Sequence, residues 1–182
     1  MHMSISLSTL IFTSPVDDYK LSAKAFLQQE TSFYGNAQYS ELAVLLSTIQ
    51  TVSMIHQQSH WVTKGKNYYS DHLLFMRLYE ETYKGVDIIA ERTIGLSTTS
   101  FVCLTSQISH IAKLVEIMKT SLNTEEPVKT SYQAVLFLSA LTNEVFEQLN
   151  SSKLLTPGLE QTIGTLLETY ETHLYLLKQR YV

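Results

Sequence analysis

The chain has one cysteine, three prolines, six glycines and one tryptophan among its 182 residues. A single thiol, Cys103, excludes an intrachain disulfide framework and any zinc site built from several cysteines, and it suits a reducing compartment. Positive charge is also scarce. Thirteen Lys and Arg stand against seventeen Asp and Glu, leaving a formal net charge of −4. That balance lacks the basic excess of chains that coat nucleic acid or bind anionic membranes. No apolar run reaches the roughly 18–20 residues of a membrane span. Ile5, Leu7, Leu10, Ile11 and Phe12 lie near the start without the basic n-region of a secretory signal. Hydrophobic residues make up 45% and charged residues 16%, the composition of a chain able to bury a core. The expectation is a globular, cytoplasmic protein.

Because proline and glycine are few, those present act as punctuation. Ser14-Pro15 predicts the cap and first turn of a short helix ending near Gln29. Gly35-Asn36 breaks the chain before a helix from about Ala37 to Lys64, which stops at Gly65. Its Leu42, Leu45, Leu46, Ile49, Val52 and Ile55 or His56 follow the three-four spacing of one buried face. A third helix is expected from about Tyr68 to Gly95, with Gly85 inside it for a packing reason. A further helical pattern covers 98–121, and Thr124-Glu125-Glu126-Pro127 opens a helix reaching about Gln148. Thr156-Pro157 opens the last, whose stripe includes Leu159, Ile163, Leu166, Tyr170 and Leu177. Weak alternation at Ile5, Leu7, Thr9 and Ile11 is the one strand-like signal. The fold class is therefore all-α, with four long helices and two shorter ones. Residues 1–35 read as an N-terminal arm with a short helix. Residues 36–182 have the connectivity of a four-helix bundle with a long crossover carrying an extra helix, as in ferritin-like folds.

Six histidines occur, and three of them (His56, His60 and His72) fall within seventeen residues. His56 and His60 are four apart and share a helix face. On the next helix His72, Met76, Tyr79 or Glu80, Tyr83, Asp87 and Glu91 form a ladder down one side. Asp87 and Glu91 are also four apart, flanked by Val86, Ile89 and Ala90. Carboxylates near an apolar face are costly unless paired or bound to metal. Imidazole nitrogens with carboxylate oxygens suit iron, zinc or manganese. A buried ion pair with Arg92, or a cap for a neighbouring helix, would account for the carboxylates equally well. His110 and His173 read as solvent-facing or structural.

The series His60-Trp61, Gly65, Tyr68, His72, then Asp87-Ile88-Ile89-Ala90-Glu91-Arg92, resembles the signature of Dps-type miniferritins over residues 56 to 95. The resemblance implies a ferritin-like homododecameric shell that oxidises Fe(II) with peroxide or dioxygen and stores ferric iron inside. It implies an inter-subunit site: His60 and His72 from one chain, Asp87 and Glu91 from a two-fold-related partner. His60 and the carboxylates would hold the tighter iron and His72 the weaker one. Arg92 would be structural, and Trp61 would lie beside the metal.

The chain departs from that pattern at Met76, where the family has a bridging carboxylate, and at Leu73, where an acidic residue is common. A thioether is soft and uncharged, a poor partner for Fe(III). The expectation is at most one firmly held ion, iron or zinc, at each site and impaired oxidation. Glu80, one turn on, and His56, one turn before His60, are the nearest substitutes. A catalytically degenerate structural shell is the alternative. Twelve copies at −4 each would repel phosphate backbones, and residues 1–40 offer only Lys20 and Lys24, so DNA coating is not expected.

Overall fold

The computed structural model describes residues 16–118 and 125–181. Ser14-Pro15, the alternation at 5–11 and Thr124 lie outside them. The elements are α1 (Val16–Ser32), α2 (Ser40–Val62), α3 (Tyr68–Leu96), a 3-10 turn (Thr99–Val102), α4 (Leu104–Met118), α5 (Pro127–Ser151) and α6 (Pro157–Tyr181). No strand occurs among the described residues. None of the described helices is long and apolar enough to cross a membrane.

The helix starts follow from local chemistry. Pro127 opens α5 at its first turn, where a missing N–H costs nothing. At α6 the Thr156 hydroxyl accepts a hydrogen bond from the Leu159 amide at 3.2 Å, the expected N-cap. Between α2 and α3 the chain reverses through residues 63–67. Gly65 has φ +88° there, and a Cβ would meet nothing within 4 Å. The left-handed backbone, not lack of space, is what asks for glycine.

α2 packs on α3 and α5, and α6 packs on α5 and α3, so the four long helices touch in a closed circuit. α4 lies on α2, and α1 lies on α5 and α2. Consequently α2 is covered on more than the single face that its spacing suggested. All eight residues from Leu42 to Ile49 are buried, including Ser47 and Thr48. Their hydroxyls, with that of Thr51, bond back to the carbonyls of Ala43, Val44 and Ser47 at 2.8–3.2 Å. Satisfied in this way, a hydroxyl can sit in a core at little cost.

α1 joins this core through Tyr19, Ala23, Phe26 and Leu27. Its Glu30 is 1% exposed and is held by Lys113 Nζ at 2.8 and 3.0 Å, with His110 Nε2 3.2 Å away. Buried charge stays buried only with such partners.

Gly85 has the packing reason that the sequence suggested. A Cβ there would lie 3.0 Å from Leu166 Cδ2 and 3.5 Å from Ile49 Cγ2. Gly85→Val would push two further carbons into that contact, outweighing any gain in helix propensity. The expected result is a loss of about 2 kcal/mol in urea unfolding. An unchanged midpoint would show that α6 can shift aside freely.

Candidate metal centre

His60 is in the last turn of α2 and His72 in the second turn of α3, so the reversal at Gly65 brings them together. The rings stack with centroids 3.7 Å apart and planes 24° apart. His60 Nδ1 lies 2.9 Å from the His72 carbonyl oxygen, and His72 Nδ1 lies 3.2 Å from the His60 carbonyl oxygen. A carbonyl can only accept, so each Nδ1 carries the proton and donates. In the neutral ring each Nε2 then has a bare lone pair. The reason is local: the His60 carbonyl is in the last turn of α2, where such groups lack helical partners. Tyr68 stacks on His72 at 5.1 Å, and Tyr79 meets His60 edge-on at 5.5 Å.

This arrangement orients histidines as metal ligands are oriented, with the second nitrogen tied to a carbonyl. It also limits what they can do together. Imidazole lone pairs lie in the ring plane, and these planes are stacked. An ion in the plane of one ring therefore lies off the plane of the other. In this arrangement the two rings cannot ligate one ion together.

Asp87 and Glu91 are not brought to these histidines within the chain. They follow His72 by fifteen and nineteen residues on the same helix, about 22 and 28 Å along its axis. Both are exposed, which corrects the sequence-based placement of these carboxylates near the apolar side. At 100° per residue they point away from buried Val86, Ile89 and Thr93. Neither forms an ion pair among the described residues. The suggested pairing with Arg92 is absent there too; its guanidinium reaches toward Gly158 instead. Among the described residues no group of three or more His, Cys, Asp or Glu side chains is placed to hold a metal ion.

The rest of the predicted ladder forms an uncovered strip on α3. Met76 and Tyr79 are partly buried, whereas Glu80 and Tyr83 are exposed. Trp61, at the end of α2, is 69% exposed. Beside the strip a groove of about 630 Å³ opens between α2, α3 and α4, with Met54, Tyr83 and Leu104 at its edge. His56 does not belong to this surface, being fully buried and facing α6.

His110 and His173 are not solvent-facing, being 1% and 0% exposed. His173 Nε2 is 2.9 Å from Glu81 Oε2. Burial by itself would raise the Glu81 carboxyl, but hydrogen bonds from His173 and Arg77 outweigh it and hold the group below its usual range. A signal for His173 was present in the sequence. It continues the stripe Leu159, Ile163, Leu166 and Tyr170, three residues beyond the last of them. His110 likewise precedes Leu114 and Met118 at helical spacing.

No family model matches the chain, and neither a curated protein nor a solved structure matches it.

Proposed function

We propose that the chain is a Dps-like miniferritin subunit. In this reading the helical circuit is a ferritin-like four-helix bundle with α4 on its crossover. Copies assemble into a cytoplasmic dodecameric shell that takes up Fe(II), oxidises it between two-fold-related subunits and stores the ferric product. One observation carries the reading. His60 and His72 present bare Nε2 lone pairs at one end of the α3 strip, while Asp87 and Glu91 stand unpaired at the other. Two copies of α3 laid antiparallel about a two-fold axis near Tyr79–Thr82 bring the histidine end of each to the carboxylate end of the other. Exposed Tyr83 (59%), Met54 (46%) and Leu104 (69%) cluster around that axis, a patch suited to an isologous contact.

His60 with Asp87 and Glu91 of the partner copy supplies one nitrogen and two hard oxygens, a set suited to Fe(II) or zinc. Peroxide accepts one electron from each of two Fe(II) ions and leaves as two hydroxides. A site holding one ion firmly must draw the second electron from another Fe(II), which slows turnover. Met76 has that effect here, because His72 alone offers the second ion no anionic ligand. Met76 also favours the second reading, a structural shell in which one ion at most clamps each interface.

The test is peroxide-driven Fe(II) oxidation on protein whose mass has been measured by light scattering. A mass near twelve chains with slow oxidation and about one tightly bound ion per site is expected. A clean monomer at micromolar concentration rejects both readings. Met76→Asp adds a hard ligand one turn from His72. It should raise second-ion affinity at least tenfold and speed oxidation. Fast two-iron turnover in the unaltered protein would mean that another residue, Glu80 first, supplies the missing ligand.

A further inference from the structure

Three helices meet at one corner of the molecule: α1 ends at Ser32, α5 ends at Ser151, and α2 begins at Ser40. Between them lies a pocket of about 460 Å³. Its lining includes Lys24 of α1, Ser40 and Glu41 of α2, and Glu144, Glu147 and Gln148 of α5. Three carboxylates against one ammonium give it a formal charge of −2. Two of these groups lack partners. Ser40 is 1% exposed and its Oγ forms no hydrogen bond, while Glu41 Oε2 is enclosed and equally unpartnered. Buried polar atoms in native proteins have partners almost without exception, so both acceptors ask for a donor from outside the chain.

We propose that this pocket binds a linear organic dication, an α,ω-diamine. One ammonium donates to Ser40 Oγ and Glu41 Oε2, and the other donates to Glu144 and Glu147. The helix ends favour that sign of charge. Both α1 and α5 bring their partially negative C-termini here, and neither has a basic residue in its last turn. The positive end of α2 is met by its own Glu41, in the first turn. Lys24 Nζ lies 3.6 Å from Glu144 Oε1, so an ammonium already finds this wall, though loosely. Gln148 Nε2 steadies the same Glu144 oxygen at 3.2 Å.

The negative charge is spread along the pocket rather than focused. Its three carboxylates form no group placed to hold a metal ion, and Mg²⁺ or Ca²⁺ needs oxygens that converge on one point. Two ammonium groups joined by a methylene chain reach separated carboxylates instead. Burial pushes the Glu41 carboxyl above its usual range, as befits a carboxylate short of positive charge. A dication cancels the −2 and supplies the missing donors. The pocket lies inside one chain and uses no residue of the α3 strip, so it stands or fails apart from the inter-subunit reading.

Calorimetric titration of the full chain with 1,4-diaminobutane is the test, with butylamine and Mg²⁺ compared at matched ionic strength. One diamine per chain is expected, bound at least tenfold more tightly than butylamine and displaced by Mg²⁺ no better than by simple salt. Glu41→Gln should weaken binding at least tenfold. Glu147→Gln should do the same from an exposed position, which provides the answer should the first variant fail to fold. Lys24→Ala removes the competing ammonium and should strengthen binding at least threefold. Glu171→Gln deletes the same charge on exposed α6 surface and should change nothing. The proposal is overturned by no saturable uptake, by equal affinity for butylamine, or by specific displacement with Mg²⁺. Unchanged affinity in whichever glutamine variant of Glu41 and Glu147 folds, or weaker binding in Lys24→Ala, overturns it too. So does an equal loss in Glu171→Gln, which would mark a diffuse pull by the whole acidic surface. Loss of the dodecamer or of iron oxidation would count against the surface reading alone.

Discussion

Metal-free protein taken from pH 7 to pH 5 should lose a large part of its stability. His56, His110 and His173 are all buried, and burial is the leading cause that lowers the pKa of each. For His110 and His173 the raising effects of Glu30 and Glu81 do not cancel it. In the unfolded chain each titrates near 6.5. Below that pH the unfolded state takes up protons that the folded state refuses, so stability falls as pH falls. The window opens at about 6.5 and, for His56, runs down to about 3. His56 alone should cost about 2 kcal/mol by pH 5, at about 1.4 kcal/mol per pH unit. His110 and His173 add to this with the same sign. Glu81, held below its usual range, adds again at lower pH as its carboxylate is protonated.

Urea unfolding at fixed protein concentration, repeated across this range, measures the slope. His56→Leu should flatten it, removing about one proton's share while leaving the neutral-pH fold intact. A midpoint that holds steady from pH 7 to pH 5 would mean that the three rings are wet or charged in the folded protein.

The second large effect concerns the division of the surface site between copies. A chain with His60→Ala and His72→Ala, and another with Asp87→Ala and Glu91→Ala, should each bind metal at least 100-fold more weakly than the unaltered chain. Dissociated, mixed in equal amounts and reassembled, they should recover about one quarter of the original sites. The arithmetic follows from two-fold symmetry. Half of the dimers contain one chain of each kind, and each of those pairs one intact histidine end with one intact carboxylate end. Its other site has lost both halves. No recovery on mixing, in assemblies of normal mass, would mean that the ligands do not come from two chains. The about 22 Å of helix between His72 and Asp87 would then have no role in metal binding.

Helix boundaries were largely legible because they rest on contacts only a few residues long. Thr156-Pro157, Pro127 and Gly65 act within one turn, and the structure has helix ends beside each of them. The meeting of His60 and His72, which the sequence suggested only through the family resemblance, also rests on a short stretch of chain. Twelve residues containing one tight reversal leave two helix ends little freedom to be apart. Burial was less legible. The spacing in α2 suggested one apolar face, yet α2 is covered by α1, α3, α4 and α5 together. Serine and threonine at buried positions looked polar in sequence because their bonds to the preceding turn are invisible there. The apolar neighbours of Asp87 and Glu91 suggest the covered side of α3, whereas helix phase turns both carboxylates outward.

Local sequence features alone specify an all-helical chain, the positions of its six described helices and the residue types capable of holding a metal. Periodicity, capping and turn chemistry are local, and a single chain displays them in order. Tertiary packing alone decides that His60 and His72 tie each Nδ1 to the other's carbonyl, that Asp87 and Glu91 face outward far from them, and that His56 meets His173 inside the core. Those outcomes depend on which helices pack together and on the rotation of each about its axis. Contacts between residues such as 56 and 173, or 30 and 113, fix that rotation, and no local pattern records them.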